Sequence, residues 1–78
     1  MFKVTVGSRN RITVPYNCWM NVSGMRTLTM KFPSGLINEW EPGVGMTSNM
    51  SYRVAVPFEI GTKLKLVPSK KYIKVVKY

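Results

Sequence analysis

Seventy-eight residues, 45% of them apolar, with three Phe, two Trp and four Tyr, suffice for one small packed domain (1–78) and exclude a disordered tail. Twelve Lys and Arg oppose three acidic residues, and the net charge of +9 directs the chain toward a polyanion: nucleic acid, an acidic protein face or an anionic membrane. No histidine and a single cysteine, Cys18, deny the chain an intramolecular disulfide, a metal constellation and the usual acid–base side chain.

In chain order, Phe2-Lys3-Val4-Thr5-Val6 alternates and predicts a strand with Phe2, Val4 and Val6 on one side. The start lacks a signal-peptide apolar run and nothing reaches transmembrane length, so a soluble, cytoplasmic protein off the membrane is expected. Gly7-Ser8-Arg9-Asn10 is turn-rich and predicts a β-hairpin over residues 2–15. Its second strand, Arg11-Ile12-Thr13-Val14-Pro15, sets Ile12 and Val14 against Arg11 and Thr13 and stops at proline, which cannot donate to a ladder. Residues 16–23 predict a helical turn or two, because Tyr16, Trp19 and Met20 fall at i, i+3 and i+4, and Gly24 ends it. This segment is expected to plug a barrel end, with Cys18 as a small core residue.

Residues 26–32 predict a strand, Pro33-Ser34-Gly35 a turn, and Leu36 to Trp40 a further strand. One proline and two glycines within Glu41-Pro42-Gly43-Val44-Gly45 break the pattern. Met46 to Tyr52 opens a second half, followed by Arg53-Val54-Ala55-Val56-Pro57, Gly61, and a hairpin of residues 62–67 and 71–77 around Pro68-Ser69-Lys70.

The two Pro-terminated strands are echoes. Each is followed by an aromatic (Tyr16, Phe58), a glycine (Gly24, Gly61), an alternating strand, a Pro-Ser turn and a last strand. An internal repeat of 2–41 and 46–78, joined by 42–45, accounts for this order, and so does the shared grammar of small β proteins. Either way the expected class is all-β: a small antiparallel barrel or sandwich of about seven short strands, with at most one short helix and, if the repeat is real, an internal pseudo-two-fold.

Charge is uneven. Residues 1–45 hold five basic and two acidic side chains, while residues 46–78 hold seven and one. Lys3, Arg9, Asn10 and Arg11 gather at the first hairpin, in types that contact phosphates and base edges and that also make ordinary polar tips. Arg53 repeats Arg11, and Lys63, Lys65, Lys70, Lys71 and Lys74 crowd the closing hairpin with Lys77. Edge-strand lysines guard against aggregation, an explanation that covers one or two of these but strains at six.

Arg-Ile-Thr-Val-Pro and Arg-Val-Ala-Val-Pro, with the following glycines and the closing Lys71-Tyr72-Ile73-Lys74-Val75-Val76-Lys77, resemble the signature of the AbrB/MazE-like swapped-hairpin family. The resemblance implies an interleaved barrel of two halves, here fused in one chain as a monomeric pseudo-dimer, or a homodimer of such chains. It implies a DNA-binding transcription regulator whose basic contacts match Lys3, Arg9, Arg11 and Arg53.

No enzymatic constellation and no cofactor motif is present, so a non-enzyme is expected. The leading expectation is a small basic nucleic-acid-binding protein with duplex DNA favoured; exposed Tyr52, Tyr72 or Tyr78 would favour single strands through stacking. The alternative is a protein-interaction module or inhibitor docking its basic face on an acidic protein, or a structural component of a nucleic-acid-containing assembly. Burial of Trp19, Trp40 and the methionines discriminates, since the protein-docking reading needs them on the surface.

Overall fold

The structure is a computed structural model and describes residues 2–19, 27–41 and 51–78. Among these residues are seven strands and one short helix: β1 Phe2–Thr5, β2 Arg11–Pro15, α1 Tyr16–Trp19, β3 Leu28–Lys31, β4 Ile37–Trp40, β5 Ser51–Ala55, β6 Lys63–Pro68 and β7 Ile73–Lys77. The chain is therefore a small all-β fold. The expected end of the helical segment near Gly24, the 42–45 link and the opening of the second half at 46–50 lie outside the described residues.

The strands form two sheets, one in the order β1-β6-β7-β3-β4 and one of β2 and β5 alone. Alternation decides what each sheet buries. Leu28, Met30, Leu64, Leu66, Ile73 and Val75 from the large sheet join Ile12, Val14 and Val54 from the small one in a single cluster. Cys18 and Trp19 of α1 join it with Val6, Phe32 and Val56, and the helical spacing brings Tyr16 and Trp19 into an edge-to-face contact at 5.2 Å.

The expected hairpin over residues 2–15 does not form. β1 instead pairs antiparallel with β6, Phe2 facing Leu66 and Val4 facing Leu64, and only an isolated bridge joins Gly7 to Arg11. The turn itself is tight: Arg11 N–H donates to the Ser8 carbonyl, and Arg9 and Asn10 have φ of 59° and 56°, the left-handed pair usual at a two-residue hairpin tip. Pairing stops at the Gly7–Arg11 bridge because Val6 bonds through both backbone groups to Gly61 and Thr62, which keeps β1 in the large sheet while β2 continues into the small one. Asn10 then holds the far half of the chain: its carbonyl accepts from Val56 N–H at 2.8 Å, and its Nδ2 donates to the Phe58 carbonyl at 2.7 Å. These bonds offset the ~1–3 kcal/mol that an L-residue such as Arg9 costs in this region. Between β1 and this turn, Gly61 uses φ 92° to donate to the Val6 carbonyl while Val6 N–H donates to the Thr62 carbonyl.

The sheet is also not wholly antiparallel. β3 runs parallel to β7, with Met30 beside Ile73 and Lys31 beside Lys74. These two strands are separated by a long stretch of chain, so no tight turn forces them to reverse. Each keeps its own antiparallel hairpin partner, β4 and β6 respectively.

In the small sheet, Arg11 faces Ala55, Ile12 faces Val54 and Thr13 faces Arg53. Aligned as repeats, Ala55 corresponds to Thr13 and Arg53 to Arg11. The register is thus reciprocal about the Ile12–Val54 pair. The large sheet does not follow the same reciprocity, since β3 rather than β4 abuts β7.

Leu64 is fully buried where β1, β6 and β7 meet. Leu64→Ala is expected to lower unfolding free energy by ~2–5 kcal/mol, and Leu64→Met by less than ~1.5 kcal/mol, in urea titrations followed by tryptophan fluorescence.

Candidate nucleic-acid interface

Because Phe2, Val4, Leu64, Leu66, Met30 and Ile73 turn inward, their neighbours in each strand turn outward. The register then fixes who meets whom on the outer face of the large sheet. Lys3 faces Lys65, Thr5 faces Lys63, and Lys31 faces Lys74. Lys65 also faces Val76, and Lys74 faces Val67. Five lysines from four adjacent strands therefore share one face. Glu39, opposite Thr29 near the β4 edge, is the one carboxylate carried by the seven described strands.

Two tyrosines bracket this field. Tyr78 follows β7, is 51% exposed, and has Lys65 Nζ at 4.8 Å and Lys3 Nζ at 5.6 Å from its ring centroid. Tyr72 precedes β7 and has Lys31 Nζ at 5.8 Å. Cation–π contact at exposed sites is worth ~0.5–1 kcal/mol and holds the ammonium groups over the rings. It acts against the two Lys–Lys cross-strand pairs, in which like charges placed opposite each other destabilise a sheet by ~0.2–1 kcal/mol.

The remaining residues singled out from sequence lie elsewhere. Arg11 and Arg53 stand diagonally on the outer side of the β2–β5 sheet, with Arg9 exposed in the preceding turn. Lys70 and Lys71 are exposed in the β6–β7 turn, which Ser69 closes by donating through Oγ to the Tyr72 carbonyl at 2.7 Å. Asn10 spends amide donor capacity on Phe58. The core thus divides the set: Lys3, Lys63, Lys65 and Lys74 face one way, Arg11 and Arg53 the other. Lys31 is the residue that sequence reading missed. Its only signal is the β3–β7 register, which no local pattern encodes.

Trp19 and Met30 are buried, and Trp40 packs partly against the core. These side chains do not offer the aromatic and methionine surface that docking on a protein requires. The remaining methionines lie outside the described residues.

A shallow groove of about 190 Å³ opens beside Lys31, Phe32, Pro33, Gly35, Tyr72, Lys74 and Val75. It is below the ~300–1,000 Å³ of small-molecule sites. Among the described residues no group of three or more His, Cys, Asp or Glu gathers as for a metal ion. No described helix is long and apolar enough to cross a membrane. Comparison of the chain with family models, curated proteins and solved structures finds no match. The likeness to the AbrB/MazE-like signature stands on the residue pattern alone.

Burial pushes the Cys18 thiol up to about 11 from an ordinary 9.0. A neutral, enclosed thiol is a poor nucleophile. Ellman's reagent at pH 8 is expected to label Cys18 only at the rate of opening, and at once in denaturant. Because the unfolded thiol ionises first, the stability that its neutral form contributes is present below pH 9 and falls as pH rises toward 11.

Screening the opposed lysines should stabilise the fold. The melting temperature is expected to rise between 20 and 500 mM NaCl, and Lys3→Thr is expected to raise it at low salt and flatten the dependence; a melting temperature that falls with salt contradicts the repulsion.

Proposed function

We propose that this chain is a small nucleic-acid-binding protein and not an enzyme, and that it grips phosphates with the outer face of its five-stranded sheet. One observation carries the reading. Lys3, Lys31, Lys63, Lys65 and Lys74 share a single open face with one carboxylate near its edge, and two lysine pairs stand directly opposed. A folded domain gains nothing internally from such opposition. A polyanion laid across the face removes the repulsion and releases its own counterions.

The narrower form of the proposal, taken from the resemblance, is a duplex-DNA regulator acting in the cytoplasm. It uses the other layer, where Arg11 and Arg53 lie diagonally across a reciprocal pair of strands and Arg9 projects nearby. A groove-reading surface of that kind would contact base edges through the arginines. The lysine face has more charge. It is the better-supported surface.

The test is fluorescence anisotropy of a labelled 30-base-pair duplex and of its single strand, from 50 to 300 mM NaCl. Engagement of all five lysines gives a log–log salt slope of about −4.5 on duplex or about −3.5 on single strand. Lys65→Gln with Lys74→Gln is expected to weaken binding and flatten the slope by ~1.4–1.8. Loss of binding in Arg11→Ala with Arg53→Ala, with the lysine variants unaffected, moves the site to the β2–β5 layer and favours the regulator. Absence of binding to either form at 50 mM salt overturns the proposal.

A further inference from the structure

We infer that the face takes single-stranded nucleic acid, with β7 as the track and Tyr72 and Tyr78 as stacking platforms at its two ends. The inference rests on the nucleic-acid reading above and narrows it to one strandedness.

Strand β7 is the central strand of five. With Ile73 and Val75 buried, alternation gives its outer edge the order Tyr72, Lys74, Val76, Tyr78. The rings are six residues apart, hence ~20 Å, which matches about six steps of a stacked strand at ~3.4 Å each. Between them lie a phosphate-seeking ammonium at Lys74 and a half-buried apolar floor of Val67 and Val76, which face Lys74 and Lys65 across the β6–β7 ladder.

Each ring already has a lysine over or beside it, so stacking and charge neutralisation are coupled. An arriving base takes the ring face, and the ammonium it displaces moves onto the adjoining phosphate, a stronger partner than a π cloud. That exchange also separates Lys3 from Lys65, which the fold holds opposed. A duplex cannot use the device, because its bases are already stacked on one another and only its phosphates reach a flat sheet. Base–aromatic stacking tolerates any sequence, so the track should show little base preference. The groove beside Tyr72 and Lys31 offers space at one end for a base to enter.

The experiment compares full-length protein binding to labelled oligo-dT of 4, 6, 8 and 12 nucleotides and to a 12-base-pair duplex, at 100 mM NaCl. The expected result is tighter binding of the 12-mer single strand than of the duplex, with affinity rising steeply up to about six nucleotides and slowly beyond. Tyr78→Ala is expected to weaken single-strand binding about 5- to 150-fold, the range for one lost base stack, while duplex affinity and salt slope stay unchanged. Tyr78→Phe, which keeps the ring, restores it. Tyr78 is half exposed, so its truncation leaves the core intact; circular dichroism checks this. Tyr72→Ala and Tyr72→Phe repeat the comparison at the other platform. If both alanine variants bind single strands like the parent while Lys65→Gln weakens binding, the platforms are refuted and the lysine face stands. If neither strand form binds at any salt, the lysine face falls and the inference falls with it.

Discussion

Everything in this fold depends on β2 and β5 finding each other. Among the described residues they form a ribbon of two strands with no third strand in its sheet, and such a ribbon is marginal in water by itself. What holds it is the face it buries: Ile12, Val14 and Val54 are each almost wholly removed from solvent against the large sheet. At ~1.5–3 kcal/mol for each such side chain, the seam is worth several kcal/mol, comparable with the whole stability of a domain this small. The reciprocal register about Ile12 and Val54 centres that apolar contact and turns Arg11 and Arg53 outward together. The same alternation that seals the core therefore displays the charge.

The large sheet works by the same logic with a different outcome. Its inner residues are mostly apolar and its outer ones include five lysines, because each strand that must bury one side has only the other for solvent. A solvent face could carry threonine or alternating signs at lower cost. Here five lysines meet a single carboxylate, Glu39, and tyrosine rings flank the field at both ends of the central strand. This run of positive charge between two rings is the feature on which the nucleic-acid proposal rests.

Much of this was legible in the sequence, and the illegible part has a single cause. Period-two alternation located every described strand to within a residue or two, and the first Pro-terminated motif set Ile12 and Val14 on the side opposite Arg11 and Thr13. The helical spacing of Tyr16 and Trp19 was equally plain. What alternation cannot say is which strand lies beside which. Gly7 to Asn10 has the composition and the left-handed dihedral angles of a hairpin tip, yet the strands part just beyond the Gly7–Arg11 bridge because β1 and Val6 take β6 and the Gly61–Thr62 turn as partners. Composition reports that a turn occurs, and only the competition for distant partners decides how far the hairpin extends. The same blindness hid Lys31, which reads as an ordinary strand-end lysine until β3 is placed beside β7. It also merged Lys3 with Arg9 and Arg11, neighbours in sequence that the parting of β1 and β2 sends to opposite sides of the core.

The parting of β1 and β2 has a consequence for how the molecule comes into being. Phe2 pairs with Leu66 and Ile12 with Val54, so the first two strands to be synthesised wait for partners near the far end of the chain. At ~5–20 residues per second, the wait for β6 lasts roughly 3–13 s. The β3–β4 and β6–β7 hairpins close locally within microseconds once made, whereas the long loops that bring β1 and β2 home place folding in the slow, millisecond-to-second range of non-local β topologies. During that interval Phe2, Val4, Ile12 and Val14 travel uncovered. The lysines and arginines set between them keep nascent chains apart by mutual repulsion, so the charge displayed on the finished surface also protects the chain while it is still incomplete.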